Sequence, residues 1–165
     1  MTKAQFLAFS LPFKLVCQVT DKGETKFSEL SGVYFDGSAV FCDIVESSHG
    51  FSSIKPVLRP IQDLTREIDG KIGLVELAKI SFPETDWTLD LSEYAIKVAY
   101  DKENPQVWFD FNNGFYACFD SYGDYHINNQ INLFEYLFKN HYDVYGLIEK
   151  GEAIDINTLS GFSYY

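Results

Sequence analysis

Val107-Trp108-Phe109-Asp110-Phe111, Asn112-Asn113-Gly114 and Phe115-Tyr116-Ala117-Cys118-Phe119 read as a β-hairpin, two aromatic strands around a turn signal. An aromatic helical segment follows and runs on to Gly151. Two registers are open for the hairpin. A two-residue Asn113-Gly114 turn of type I′ pairs Asn112 with Phe115. It sets Trp108, Asp110 and Asn112 on one face with Phe115, Ala117 and Phe119. A three-residue loop Asn112-Asn113-Gly114, with Gly114 in the left-handed position of a bulge, pairs Phe111 with Phe115, Phe109 with Ala117 and Val107 with Phe119. One face is then wholly apolar, and Trp108, Asp110, Tyr116 and Cys118 take the other. A one-residue slip exchanges the faces, so burial favours the three-residue loop, with Phe109, Phe111, Phe115 and Phe119 toward the core.

Working outward, Tyr94–Tyr100 alternates and reads as a strand, and Asp101–Pro105 turns it into the hairpin. Residues 94–119 therefore form a three-stranded antiparallel meander whose middle strand is the most apolar. Asp86–Glu93 is acidic and reads as surface loop. Downstream, Asn132 is placed to cap a helix from Leu133 to about Asn140, with Glu135 as its capping-box partner. Asp143 is placed to cap a second helix, Val144–Lys150, which Gly151 closes. Ala153–Leu159 reads as a short final strand, and the aromatic tail Gly161–Tyr165 is expected to dock.

In the first half, Ala4–Leu11 is a short helix or an extended lead-in, stopped by Pro12. Lys14–Thr20 is a strand with Leu15, Cys17 and Val19 on one face, and Asp21-Lys22-Gly23 turns it toward a weak strand at Thr25–Leu30. Gly32–Phe35 and Ala39–Val45 flank Asp36-Gly37-Ser38 as a second hairpin, and Ser47–Gly50 follows as a loop. Pro56 and Pro60 bracket Val57–Arg59. A helix runs from Pro60 through Ile68, Gly70 and Gly73 break the chain, and a short helix covers Leu74–Ile80. The fold class is α+β: an antiparallel sheet of hairpins and a meander, with short helices in the middle and at the C-terminal end. Residues 1–165 read as one domain.

Composition narrows the function. Fifteen Phe and 11 Tyr in 165 residues exclude a disordered chain. A net charge of −11, from 24 acids and 13 bases, argues against direct binding to nucleic-acid phosphate or to an anionic membrane. No Lys or Arg occurs from Phe27 to Ile54 or from Glu103 to Phe138. Three widely spaced cysteines, Cys17, Cys42 and Cys118, are a poor disulfide framework and imply reduced thiols in a cytoplasmic setting. Pro12 and Lys14 interrupt the mildly apolar start, which does not read as a signal peptide. No apolar run reaches the length of a membrane span.

Two groups of side chains have the composition of a reactive site. Cys118 with Asp120 and His126 downstream has the composition of an activated thiol, but a cysteine at a strand position is more often a small packed residue. Asp120, Asp124 and His126, or Asp43, Glu46 and His49, offer metal-ligand types without a recognised spacing, and solvated loops explain both sets. No phosphate loop, dinucleotide fingerprint or nucleophile elbow is present, and no cofactor is implied. The aromatic surplus points instead to a binding face: Trp108 and Tyr116 on the hairpin, Tyr122 and Tyr125 beyond it. A second core layer under covering helices is the plainer reading of the same residues.

Arg59-Pro60-Ile61-Gln62-Asp63-Leu64-Thr65 and His141-Tyr142-Asp143-Val144-Tyr145-Gly146-Leu147-Ile148-Glu149-Lys150-Gly151-Glu152-Ala153-Ile154-Asp155 resemble small proteins of phages, prophages and mobile elements of Bacteroides-type bacteria. The second stretch is similar to their C-terminal "DxxGLIEKGxAID" segment. The resemblance implies a bacterial or phage intracellular setting and an accessory role, and it carries over no catalytic residue. The resulting expectation is a non-enzymatic accessory protein. It would bind a protein partner through an acidic, aromatic surface of Trp108, Asp110, Tyr116, Asp120, Tyr122, Asp124 and Tyr125, as an inhibitor that mimics nucleic-acid charge in its sharper form. A homodimer stays open. The alternative from another class is a small hydrolase or metal-dependent enzyme using Asp120, Asp124 and His126.

Overall fold

The structure, a computed structural model, describes residues 2–36, 39–44, 47–81, 88–92, 95–99, 106–109, 118–119 and 129–162. In chain order the elements are helix α1 (Lys3–Ser10), strands β1 (Val16–Asp21), β2 (Glu24–Asp36), β3 (Ala39–Ile44), β4 (Ser47–Gly50), β5 (Ile54–Leu58), β6 (Glu67–Ile68) and β7 (Lys71–Ile72), helix α2 (Gly73–Ser81), strands β8 (Thr88–Ser92), β9 (Ala95–Ala99), β10 (Gln106–Phe109) and β11 (Cys118–Phe119), helix α3 (Gln130–Lys139) and strand β12 (Ile154–Asp155). The fold is α+β, and the chain groups into two compact units. Unit 1 is Met1–Pro60 with Phe138–Tyr165, and unit 2 is Ile61–Leu137.

Unit 1 grows from the alternation expected in β1. Leu15, Cys17 and Val19 are all fully buried. Lys22 and Gly23, at φ 49° and 87°, make a two-residue hairpin turn of the kind that needs positive φ at both positions. β2 then pairs back along β1 from Asp21 with Glu24 to Val16 with Glu29. What reads as one weak strand and half of a later hairpin is a single strand of 13 residues. β2 also pairs with β3; a register shift after Leu30 with Ile44 leaves Ser31 as a bulge, and beyond it the pairing runs from Gly32 with Asp43 to Asp36 with Ala39.

The six-stranded sheet has the order β12-β5-β1-β2-β3-β4. It is antiparallel except at β12, which lies parallel to β5 with Ile154 opposite Val57 and Asp155 opposite Leu58. One of its strands corrects the sequence reading. Ser47–Gly50, expected as a loop, is strand β4 against β3. Pro56 sits inside β5, opposite Cys17 of β1 and one residue before the pairing with β12 begins.

Helix α1 starts at a capping box. Gln5 N donates to Thr2 Oγ1 (3.4 Å) and Thr2 N donates to Gln5 Oε1 (2.9 Å). The helix buries Phe6 and Leu7 completely. The Phe6 ring lies 5.6 Å from that of Phe138 and 6.1 Å from that of Tyr145. Each such buried side chain contributes about 1.5–3 kcal/mol by area alone.

Unit 2 departs further from expectation. The helix read from Pro60 to Ile68 is a short 3₁₀ turn at Ile61–Thr65, followed by the hairpin β6–β7. Asp69 and Gly70, at φ 53° and 76°, form its turn and stop any helix. The next helix is where it was expected. α2 buries Leu74, Leu77, Ala78 and Ser81, a helical stripe, and packs on the 3₁₀ turn, β7, β8 and β9. The second sheet has the order β11-β10-β9-β8, all antiparallel. It contains the expected meander plus β8, a strand formed within the acidic stretch read as surface loop.

The hairpin register also needs correction. Trp108 pairs with Phe119 and Phe109 with Cys118. This is the register of the two-residue turn, one residue away from the three-residue loop. Trp108 and Phe119 therefore share one side of the ladder, a register that the alternation of apolar residues within each strand does not fix. The turn residues and Phe111, Phe115 and Ala117 lie outside the described residues. At the end of unit 2, α3 begins at Gln130 rather than Leu133. Asn132 is therefore an exposed first-turn residue and not a cap. Asn129 occupies the entry instead, with its Nδ2 donating to Ile80 O (2.8 Å) and its carbonyl accepting from Leu133 N (3.0 Å).

Candidate functional site

Of the expected binding residues, Trp108 alone lies within the described chain, in β10 between Lys97 of β9 and Phe119 of β11. Asp110, Tyr116, Asp120, Tyr122, Asp124 and Tyr125 lie outside the described residues, as does His126. Among the described residues no group of three His, Cys, Asp or Glu side chains is placed to hold a metal ion. Glu46 of the other candidate set is also outside them, and register separates its partners. His49 lies opposite Cys42 and Asp43 opposite Ser48, so Asp43 and His49 fall on opposite faces of the sheet.

The described thiols are built for packing. Cys17 and Cys42 are free and fully buried. Burial pushes the Cys17 thiol up to about 12, with Cys42 adding to the rise, and pushes the Cys42 thiol up to about 11. Both are protonated at neutral pH and are poor nucleophiles there. Lys3 of α1 donates from Nζ to Phe51 O (3.1 Å) and sits 4.4 Å from the Phe51 ring centroid. Burial lowers its amine pKa.

What unit 1 does bring together is a clasp that sequence reading missed. Arg59 N donates to His141 O, and Asp143 N donates to Arg59 O, each at 2.8 Å, forming a parallel bridge between Arg59 and Tyr142. A few residues on, β12 joins the same side of β5. The segment from His141 to Asp155 is therefore fastened at both ends to β5 and the residue after it. Arg59 and the 141–155 segment fall within the two stretches quoted above, and nothing in the sequence alone marks them as neighbours.

Within the clasp the polar groups hold backbone. His141, at φ 58°, is buried, and its Nε2 meets Phe13 O at 2.8 Å, which requires the tautomer protonated at Nε2. Burial, opposed by the Phe13 carbonyl and assisted by the Arg59 charge, lowers the imidazole to about 4. The buried Asp143 carboxylate accepts from Leu147 N at Oδ1 and from Ile148 N at Oδ2, both 2.8 Å. The expected helix at Val144–Lys150 does not form. Gly146 takes φ 63°, which breaks the helix, and the carboxylate satisfies N–H groups that helical carbonyls would have taken. Gly151, expected to close that helix, instead follows a run of turns at φ 69°.

Aromatic side chains also reach the surface. Phe27 of β2 is 43% exposed, and its ring lies 5.6 Å from the tilted ring of Phe162 in the tail, which docks as expected up to that residue. Charge is divided unevenly along the sequence. Ile61–Leu137 holds 14 acids and five bases, a net of −9, and the rest of the chain holds ten acids and eight bases, a net of −2. No described helix is long and apolar enough to cross a membrane. No family model, curated protein or solved structure matches the chain.

Proposed function

We propose that this chain is a non-enzymatic accessory protein of a phage or mobile element, acting in the cytoplasm, that binds another protein through the acidic, aromatic part of unit 2. The observation that carries this reading is the division of charge: −9 of the −11 belongs to Ile61–Leu137, the same unit that holds Trp108, Asp110, Tyr116, Asp120, Tyr122, Asp124 and Tyr125. Tyr and Trp supply contact area at low entropic cost, and carboxylates among them select a cationic partner. A nucleic-acid-binding protein is such a partner, with the carboxylates standing where phosphates would. The buried polar groups of unit 1 support a scaffold role for that unit, because His141 and Asp143 each hold backbone atoms in place.

The test is an affinity capture from bacterial lysate at about 50 mM and about 500 mM salt, where the screening length falls more than threefold in reach. The expected result is a cationic protein retained at low salt, released at high salt, and lost from the Trp108→Ala/Tyr122→Ala variant. A partner held equally at both salts removes the charge-mimic reading, and a partner retained by the double variant removes this surface.

A further inference from the structure

Pro60 and Phe138, the last residue of unit 1 before Ile61–Leu137 and the first after it, belong to one place in unit 1. Arg59 N donates to His141 O (2.8 Å), Asp143 N donates to Arg59 O (2.8 Å), and His141 N donates to Phe138 O (3.0 Å). The chain thus leaves unit 1 and re-enters it at segments bonded to each other, backbone to backbone. The sheet of unit 1 also closes across the excursion, since β5 before it and β12 after it are neighbours in register. Among the described residues every strand pairing stays within one unit. Of α3, only the final two residues, Phe138 and Lys139, belong to unit 1.

We infer that Ile61–Leu137 is an insert spliced into unit 1 at the Arg59–Asp143 clasp, and that it opens and closes as its own cooperative unit. Backbone ladders and cores confined to separate stretches are what define such units. Within unit 2, α2 packs on the 3₁₀ turn, β7, β8 and β9, and within unit 1 the Phe6 ring meets those of Phe138 and Tyr145, which the clasp brings back into that unit. Phe138 is held in unit 1 by its ring contacts with Phe6, Phe9 and Tyr145, so the boundary between the two transitions falls between Leu137 and Phe138. Asp143 is the positioning residue of the joint. Its carboxylate takes the N–H groups of Leu147 and Ile148 and so fixes the returning chain against Arg59. The arrangement lets unit 2 be remodelled without opening unit 1.

The sequence supplies separate reporters. Both tryptophans, Trp87 and Trp108, lie in unit 2, and the buried thiols Cys17 and Cys42 lie in unit 1. In the full chain carrying Cys118→Ser, urea unfolding is followed by tryptophan fluorescence and by thiol labelling. Asp143→Ala is expected to lower the urea midpoint of thiol exposure and leave the tryptophan midpoint in place, with Asp143→Asn giving a smaller shift of the same kind. If Asp143→Ala does not fold, Asp143→Asn carries the same comparison. Midpoints that move together, or that both stay put, overturn the inference. Neither reading depends on a partner, so the result stands apart from the capture experiment.

Discussion

Unit 1 and unit 2 use their carboxylates in opposite ways. In unit 1 a buried one is spent on structure: Asp143 satisfies two backbone donors and closes a loop. In unit 2 the described buried carboxylate, Asp63, is matched by Arg66 at 2.9 Å, and the rest of the unit carries a large excess of acid over base. Repulsion within such an excess opposes compactness, so it persists where solubility or a cationic partner favours it. The contrast teaches that net charge alone says little about a chain of two units. A total of −11 conceals one nearly neutral scaffold and one strongly acidic unit.

The contrast can be broken or sharpened by measurement. The largest effect is expected from Leu77→Ala, which opens a cavity beneath α2 where Leu77 is fully buried. It should destabilise unit 2 by about 2–5 kcal/mol, read as a fall in the tryptophan-monitored urea midpoint. A loss under about 1 kcal/mol would mean that the site collapses or that α2 adds little to the unit.

Acid should act next, and on unit 1. The folded-state pKa of His141 is depressed to about 4 from an ordinary 6.5, so the unfolded chain takes up the proton first. The stability tied to the neutral ring is full above about pH 6.5, declines as pH falls through that value, and is gone below about 4. The whole effect is about 3 kcal/mol. His141→Gln, which keeps an N–H donor for Phe13 O, should lower stability at pH 7 and flatten the pH dependence of thiol exposure over that window. An unchanged slope would show that another group titrates.

Removing the cap at the other end of unit 1 is a smaller probe. Thr2→Ala should cost about 1 kcal/mol by leaving Gln5 N without its side-chain acceptor. The effect should reach thiol exposure and spare tryptophan fluorescence. Gln5→Ala removes the reciprocal bond to Thr2 N and should cost less still.

Much of the fold was legible where local chemistry and tertiary packing agree. The alternation at Leu15, Cys17 and Val19, the 74–81 stripe of α2 and the antiparallel run through β9, β10 and β11 all follow from periodicity. The failures fall where long-range pairing overrides local signals. β4 has the composition of a loop and is a strand because β3 offers an edge. Residues 144–150 have helical composition, and a single carboxylate with a positive-φ glycine diverts them. The candidate surface was legible only as composition, because which acids and rings share a face depends on register, and the register differs by one residue from the one that burial favoured.

The parallel pairing of β12 on β5 sets an order of events during synthesis. Val57 leaves the ribosome with its partner Ile154 still to be made, and all of Ile61–Leu137 emerges in between. Unit 2 can therefore complete its hydrogen-bonded ladders while β5 still has one edge unpaired. Unit 1 waits for the last part of the chain, and the exposed edge of β5 is the surface that a chaperone, or a second nascent chain, meets in that interval.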